Sequence, residues 1–435
     1  MPKRLVMREM SVFILVWFGQ LVSLVGSGLT NFALGVWVYQ RTGSVTQFSL
    51  IYLFALLPGI LISPVAGALV DRWNRRWCMI LSDSCGGLCT VAIAFLLAIG
   101  HLEIWHIYLI ACLYSVFRAF QLPAYSAAIT LLVPKEHLPR ASGMMQSGEA
   151  ISTLLSPLLA GILLGIIQLP GVIFIDFATF LFALATLLIV RFPNIKTTYD
   201  SEDKQSSLWR ETIYGFSYIA NRPGLLVLLI LFTTNNFVVG LIEALFTPLV
   251  LSFTSVTVLG TIQSIGGLGM LVGSLIISTW GGPKSLIFGV CSFMFLSQMS
   301  ILALGLRASA ELFALGNFFY FFSLPIINTC FFAILQKKVA PDVQGRVFAV
   351  VRMICWSSLP VAYLAAGPLA DKIFEPLMAA NGLLAGSVGQ IIGVGSGRGI
   401  GLLFIVMGIL IMLVIFAVYQ YPRLRLVEKE LPDAI

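Results

Sequence analysis

The sequence predicts an all-α polytopic membrane protein, with twelve transmembrane helices arranged as two six-helix halves. Three observations carry this. Charged residues make up 10% of the 435 positions and hydrophobic residues 59%, whereas soluble domains carry about 25% charge. Unbroken apolar blocks such as residues 400–419 recur along the chain, each near the roughly 20 residues that a spanning helix needs. Charges gather in short clusters between those blocks. A closed β-barrel, the other spanning solution, would show alternating segments of about ten residues instead.

The first span is expected over about 11–38. Lys3, Arg4 and Arg8 precede it as they would a secretory signal. The run then continues for about 25 residues without a small-residue cleavage site, so it reads as a retained helix with a cytoplasmic N-terminus. It carries Gln20, Ser23, Ser27, Thr30 and Asn31. Polar residues three or four apart share a helix face, which makes Gln20 and Asn31 candidate contacts for a transported molecule. Hydrogen bonding between helices is the plainer use of such residues.

A second span follows a short outer loop near Arg41 and ends in Gly67-Ala68-Leu69-Val70-Asp71-Arg72-Trp73-Asn74-Arg75-Arg76. Four charges in six residues between two apolar runs make a membrane loop, and its three arginines mark the cytoplasmic side. The third span, about 77–98, holds one charge, Asp83. The fourth runs to about 130 with Arg118 some twelve residues in, hence roughly 18 Å deep. Spans five and six cover about 142–167 and 171–190. The stretch 191–210 is the longest polar segment and has linker composition; residues 208–220 read as an amphipathic helix on the inner surface. Six further spans follow, over about 225–249, 256–280, 285–306, 312–335, 347–370 and 400–419. The organisation is therefore an N-terminal half (1–192), a linker (193–222), a C-terminal half (223–420) and a cytoplasmic tail (421–435).

The halves repeat weakly. Pro134 to Arg140 and on to Gly161 matches Pro341 to Arg346 and on to Gly367, the glycine following the arginine at the same distance in both. With both termini inside, twenty of the 26 Lys and Arg residues fall on the cytoplasmic side, as the positive-inside rule expects. That asymmetry explains the net charge of +7, and no nucleic-acid partner is expected. The seven cysteines lie in or at the ends of spans with no CxxC pair, which suits packing and leaves neither a disulfide framework nor a metal site. No cofactor is expected.

The span count, the linker between sixes and the loop after helix 2 resemble the major facilitator superfamily. Its loop pattern is matched by Gly67, Leu69, Asp71, Arg72, Arg75 and Arg76, with Asn74 where a second glycine is usual; Asn tolerates a left-handed turn. Gly19-Gln20 with Ser23, Arg118 to Ala124, Gly367-Pro368-Leu369-Ala370-Asp371 and Gly393 to Gly399 are similar to a drug-efflux branch that includes macrolide exporters and lies close to siderophore exporters. The resemblance implies the major facilitator fold. It also implies a cytoplasmic latch formed by Gly67, Asp71, Arg72, Arg75 and Arg76, joining the inner ends of helices 2 and 11. It ties the helix 4 arginine to proton coupling, here Arg118, although helix 1 offers no carboxylate partner and Gln20 is nearest by depth. In helix 5, Ser156-Pro157-Leu158-Leu159-Ala160-Gly161 keeps part of an antiporter motif.

The acids expected within spans are Asp83, Glu149, Asp176 and Glu243. Proton antiport needs a carboxylate that gains and loses a proton as its surroundings change, and Glu149 and Glu243 are the candidates. Asp83 and Glu149 lie near the depth of Arg352, so salt bridging to it is another use for them. Asn235, Asn236 and Glu243 form a polar stripe on helix 7. The cargo wall is expected to be aromatic and apolar, with Phe237 and Phe318 among its candidates, and no acid-rich constellation for a polycationic cargo stands out. No HExxH, Walker loop or nucleophile elbow is present, so an enzyme or an ATP-driven pump is not expected.

The leading reading is a proton-driven exporter of amphipathic small molecules such as macrolide-like drugs. It would be a monomer in the plasma (inner) membrane with both termini cytoplasmic, its partners being a small-molecule substrate, protons and the lipid bilayer. An exporter of a siderophore or lipid is the alternative. A scaffold or sensor would need a soluble segment longer than about twenty residues.

Overall fold

The computed structural model describes residues 3–134, 137–190, 216–340 and 343–422. Twelve of its helices are long and apolar enough to cross a membrane, and the described residues include no strand. They are α1 (Lys3–Thr42), α2 (Val45–Arg72), α3 (Arg75–Ala98), α4 (Ile104–Leu132), α5 (Leu138–Ile166), α6 (Gln168–Ile189), α7 (Pro223–Leu251), α8 (Val256–Trp280), α9 (Leu286–Leu306), α10 (Ala310–Lys338), α11 (Gln344–Pro368) and α12 (Arg398–Gln420). The expected class and number of spans are both present. Boundaries differ where helicity outruns apolarity. The basic residues before the first span are good helix formers, and α1 starts among them. α11 continues through a π-helical stretch, Leu369–Phe374, into Glu375–Met378. Of the amphipathic segment expected over 208–220, residues 216–220 are helical and the rest lies outside the described residues.

The chain forms two compact units. The first takes Met1–Gly43, Leu50–Asp200 and Val256–Ser264; the second takes Ser44–Ser49, Ser201–Ser255 and Ile265–Ile435. In the first unit α1 packs on α5 and α6, and α3 packs on α4 and α6. Its apolar packing is split in two. One cluster holds Phe13, Val16, Met79, Ala128 and Leu187; the other holds Leu29, Ala33, Ile93, Ile107 and Ile173. Between them, α1, α3, α4 and α6 each pass through a stretch rich in polar residues. That polar belt positions the site described below.

In the second unit α7 packs on α11 and α12, and α9 packs on α10 and α12. Two carboxylates cap helices distant in sequence. Glu375 accepts from the backbone N–H of Gly397 at 3.2 Å and of Ile400 at 3.1 Å, at the start of α12. Asp371 accepts from the N–H of Val45 (3.2 Å) and Thr46 (2.9 Å), and from the hydroxyls of Ser44 (3.1 Å) and Thr46 (2.7 Å), at the start of α2. Free N–H groups and the dipole at a helix N-terminus favour an anion there.

The weak repeat has a structural counterpart. In the first unit a Cβ on Gly161 of α5 would stand 3.0 Å from the Val256 carbonyl, at the start of α8; in the second, a Cβ on Gly367 of α11 would overlap Thr46, at the start of α2. Each of these glycines admits the first turn of another helix against its own backbone. Asn74 departs from the expected left-handed turn. Its φ of −67° and ψ of 114° are extended, and its side chain accepts from the N–H of Arg76 and Trp77 as the N-cap of α3. Capping, for which Asn is among the best residues, accounts for it.

Candidate functional site

A cavity of about 270 Å³ opens in the polar belt of the first unit. Five helices contribute to it: α1 gives Gln20, Ser23 and Ser27; α3 gives Asp83 and Thr90; α4 gives Tyr114, Arg118 and Gln121; α5 gives Glu149; and α6 gives Asp176. The spacing explains the convergence. Residues 83 and 90 lie two turns apart on α3, and residues 114, 118 and 121 follow one face of α4, so each helix turns one polar stripe inward.

Asp83 is held by two amides. Gln20 Nε2 donates to Oδ2 at 2.9 Å, and Gln121 Nε2 donates to Oδ1. Gln121 also reaches Gln20 Oε1 at 3.0 Å, closing a three-residue ring. Deeper along α1, Asp176 accepts from Ser27 Oγ at 3.3 Å and Thr90 Oγ1 at 3.1 Å. Asp176 is 3% exposed. Arg118 Nη2 stands 3.7 Å from Glu149 Oε1, with both side chains substantially exposed. A charge-assisted hydrogen bond spans about 2.7–2.9 Å, so this is a loose ion pair that either partner can leave at small cost.

Several expectations take a different form. The partner of Arg118 comes from α5, and Gln20 serves Asp83 instead. In the second unit, the Arg352 guanidinium lies over the Trp356 ring at 4.9 Å. A set of three carboxyl groups and one arginine lines this cavity. It is invisible in sequence because Asp83, Glu149 and Asp176 lie on different helices and far apart in the chain.

The remaining candidates lie elsewhere. Asn31 is exposed and does not line this cavity. In the second unit, Asn235 accepts from Gln298 Nε2 at 3.2 Å, Asn236 donates to the Cys355 carbonyl at 3.1 Å, and Glu243 accepts from the Tyr363 hydroxyl at 2.6 Å. Phe237 is partly buried, and Phe318 stacks on Phe322 with ring centroids 6.2 Å apart. Around the α2–α3 loop, Gly67 is half-buried and Arg75 is partly buried. Arg76 donates to the carbonyls of Leu187 and Leu188 at the end of α6. The latch expected of Asp71 and Arg72 falls on side chains outside what the structure describes.

Among the described residues, no group of three or more His, Cys, Asp or Glu side chains is placed to hold a metal ion. Reading acids one helix at a time missed the role of Asp83, Gln121, Thr90 and Asp176. The usable signal was the shared seven-residue spacing on α3 and α4.

Twelve helices long and apolar enough to cross a membrane, with a polar cavity among five helices of the first unit, define a polytopic helical membrane protein. The sequence profile of the Major Facilitator Superfamily matches residues 16–363. The chain belongs to that family, whose fold is that of transporters. Macrolide efflux protein A of Streptococcus pyogenes is 29% identical over 377 residues, covering 83% of this chain and 90% of the relative. The multidrug efflux pump Tap of Mycolicibacterium fortuitum is 22% identical over 369 residues, covering 82% and 89%. The crystal structure of a bacterial homologue of the human lysosomal transporter Spinster superposes with a TM-score of 0.70 at 15% identity, covering 97% of each chain; at that identity it shows the shared fold.

Proposed function

We propose that this chain is a secondary active exporter of amphipathic small molecules, driven by proton antiport through alternating access. The observation that carries the reading is the cavity of the first unit, which Asp83, Glu149 and Asp176 line together with Arg118. Ionisable residues within a membrane are costly and mark ion or substrate pathways. The relatives named for macrolide and multidrug efflux support export. Asp83 and Glu149 in one cavity with a single guanidinium suit an apolar cargo that carries an amine, as macrolide-like drugs do.

In this mechanism Glu149 is the proton carrier. A proton delivered to Glu149 would release Arg118, and the freed guanidinium would raise the positive charge in the cavity. A cationic cargo is then repelled, so proton entry and cargo exit are coupled by charge alone. Asp83, fixed by Gln20 and Gln121, supplies the anion that holds the cationic cargo amine while the Arg118–Glu149 pair is closed. Glu243, with its Tyr363 partner, is the second candidate carrier. The protein acts as a monomer in the plasma (inner) membrane with both termini in the cytoplasm, and it is not an enzyme.

The test is drug susceptibility in a host lacking its own pumps, with and without a protonophore. Expression should raise the tolerated macrolide concentration several-fold, and the protonophore should abolish the gain. Protection that survives the protonophore contradicts proton coupling. Protection against no amphipathic drug favours the siderophore or lipid reading.

A further inference from the structure

At the α1–α3–α6 junction of the first unit, a buried carboxylate sits among hydroxyl oxygens. Asp176 is 3% exposed, and among the described residues it has no ion-pair partner; the ion pair in this cavity is Arg118 with Glu149. An ionised carboxylate removed from water must be paired, well hydrogen-bonded or bound to a cation. Its hydrogen bonds are long. Ser27 Oγ is 3.3 Å away and Thr90 Oγ1 3.1 Å, where a hydroxyl donating to a carboxylate settles at about 2.5–2.7 Å.

A second observation is independent of the first. Thr30, one turn beyond Ser27 on α1, is 5% exposed, and its hydroxyl oxygen has no hydrogen-bond partner. It lies close enough to the Asp176 carboxylate to act on it, yet it meets no partner at hydrogen-bonding geometry. Buried hydroxyls nearly always find a partner, and one without calls for an explanation such as an ion. The close approach of α1 to α6 that gathers these groups depends on Gly26, where a Cβ would run into Thr179 and crowd the Asp176 backbone.

We infer that Ser27, Thr30, Thr90 and Asp176 form a sodium-binding site. Two carboxylate oxygens and three hydroxyl oxygens make a set of five hard donors, the kind that hard cations select over nitrogen or sulfur. A single carboxylate matches a single positive charge. The spacing also fits. Oxygens about 2.4 Å from a shared cation and about 90° apart lie roughly 3.4 Å from one another, near the 3.1 and 3.3 Å separations seen here. A hydroxyl can turn its lone pairs to a cation while its proton points elsewhere, so the same three residues serve with the ion bound or absent. The site is separate from the Asp83–Gln20–Gln121 ring and the Arg118–Glu149 pair, and it does not rest on proton coupling. Bound sodium would tie α1, α3 and α6 together.

The test uses the purified full-length protein in detergent. Thermal unfolding is followed in sodium, lithium, potassium and choline chlorides at equal ionic strength, together with equilibrium binding of radioactive sodium. The wild type should be stabilised saturably by sodium and hardly at all by potassium or choline. Thr30→Val, nearly isosteric, should weaken sodium affinity at least tenfold, and Asp176→Asn should abolish the response. Where Asp176→Asn does not fold, Thr90→Val carries the same expectation as Thr30→Val. A wild type that unfolds at the same temperature in sodium and choline, or a Thr30→Val variant that titrates like wild type, overturns the site. Both readouts are independent of export, so failed drug protection with intact sodium binding counts against the exporter reading alone.

Discussion

At the scale of single residues, the polar cavity separates charges that are locked from charges that are free. Asp83 is locked by Gln20 and Gln121. Gln121→Leu removes one of its two donors while leaving the carboxylate in place, and loss of such a partner costs roughly 1–3 kcal/mol. Lowered thermal stability with the fold retained is the expected result; unchanged stability would mean that the amide is dispensable. The Arg118–Glu149 pair, at 3.7 Å and open to its surroundings, is the reverse case. Glu149→Gln should leave stability within about 0.5 kcal/mol of wild type while drug protection falls to the level of the empty host. An exchanged pair, Arg118→Glu with Glu149→Arg, should recover part of the stability and none of the coupling. A Glu149→Gln protein that still protects would move the proton to Glu243 or Asp83.

At the scale of elements, glycines set how closely helices approach, and that spacing sets which side chains meet. Gly26 lets α1 lie against α6, and Gly26→Ala should push the two apart at a cost of about 1–3 kcal/mol, read as a drop in unfolding temperature. Gly367→Val should be worse than Gly161→Val, because a Cβ at 367 meets the backbone of Thr46 while one at 161 has 3.0 Å to the Val256 carbonyl. These elements also show what the sequence made legible. Apolar run length located every span, since the bilayer demands it, and the shared spacing to Gly161 and Gly367 pointed to a repeat that the structure bears out as matched packing. The site was legible only in part. Gln20, Arg118 and Glu149 stood out individually, but periodicity within one helix says nothing about which helices face each other. The pattern along α3 alone therefore does not reveal the two amides, from α1 and α4, that hold Asp83. Asn74 misled for a different reason: the side chain that tolerates a left-handed turn is also a strong helix cap, and here it caps.

At the scale of the whole molecule, a twelve-span transporter fold carries a charged cavity in its first unit. The proposed topology has both termini in the cytoplasm, as the positive-inside rule expects of the basic loops. A fluorescent-protein fusion at the C-terminus should therefore fold and fluoresce, whereas alkaline phosphatase fused at the same point should be inactive; the opposite pair of results would invert the topology. The central claim is that a proton gradient moves an amphipathic amine outward through this protein. Its most direct measurement is uptake of radiolabelled macrolide into proteoliposomes carrying the purified chain and an imposed pH gradient, acid inside, the orientation that drives antiport into the lumen. Accumulation that collapses on adding a protonophore, and that Glu149→Gln abolishes, is the predicted result. Uptake indifferent to the gradient, or equal in liposomes without the protein, would contradict it.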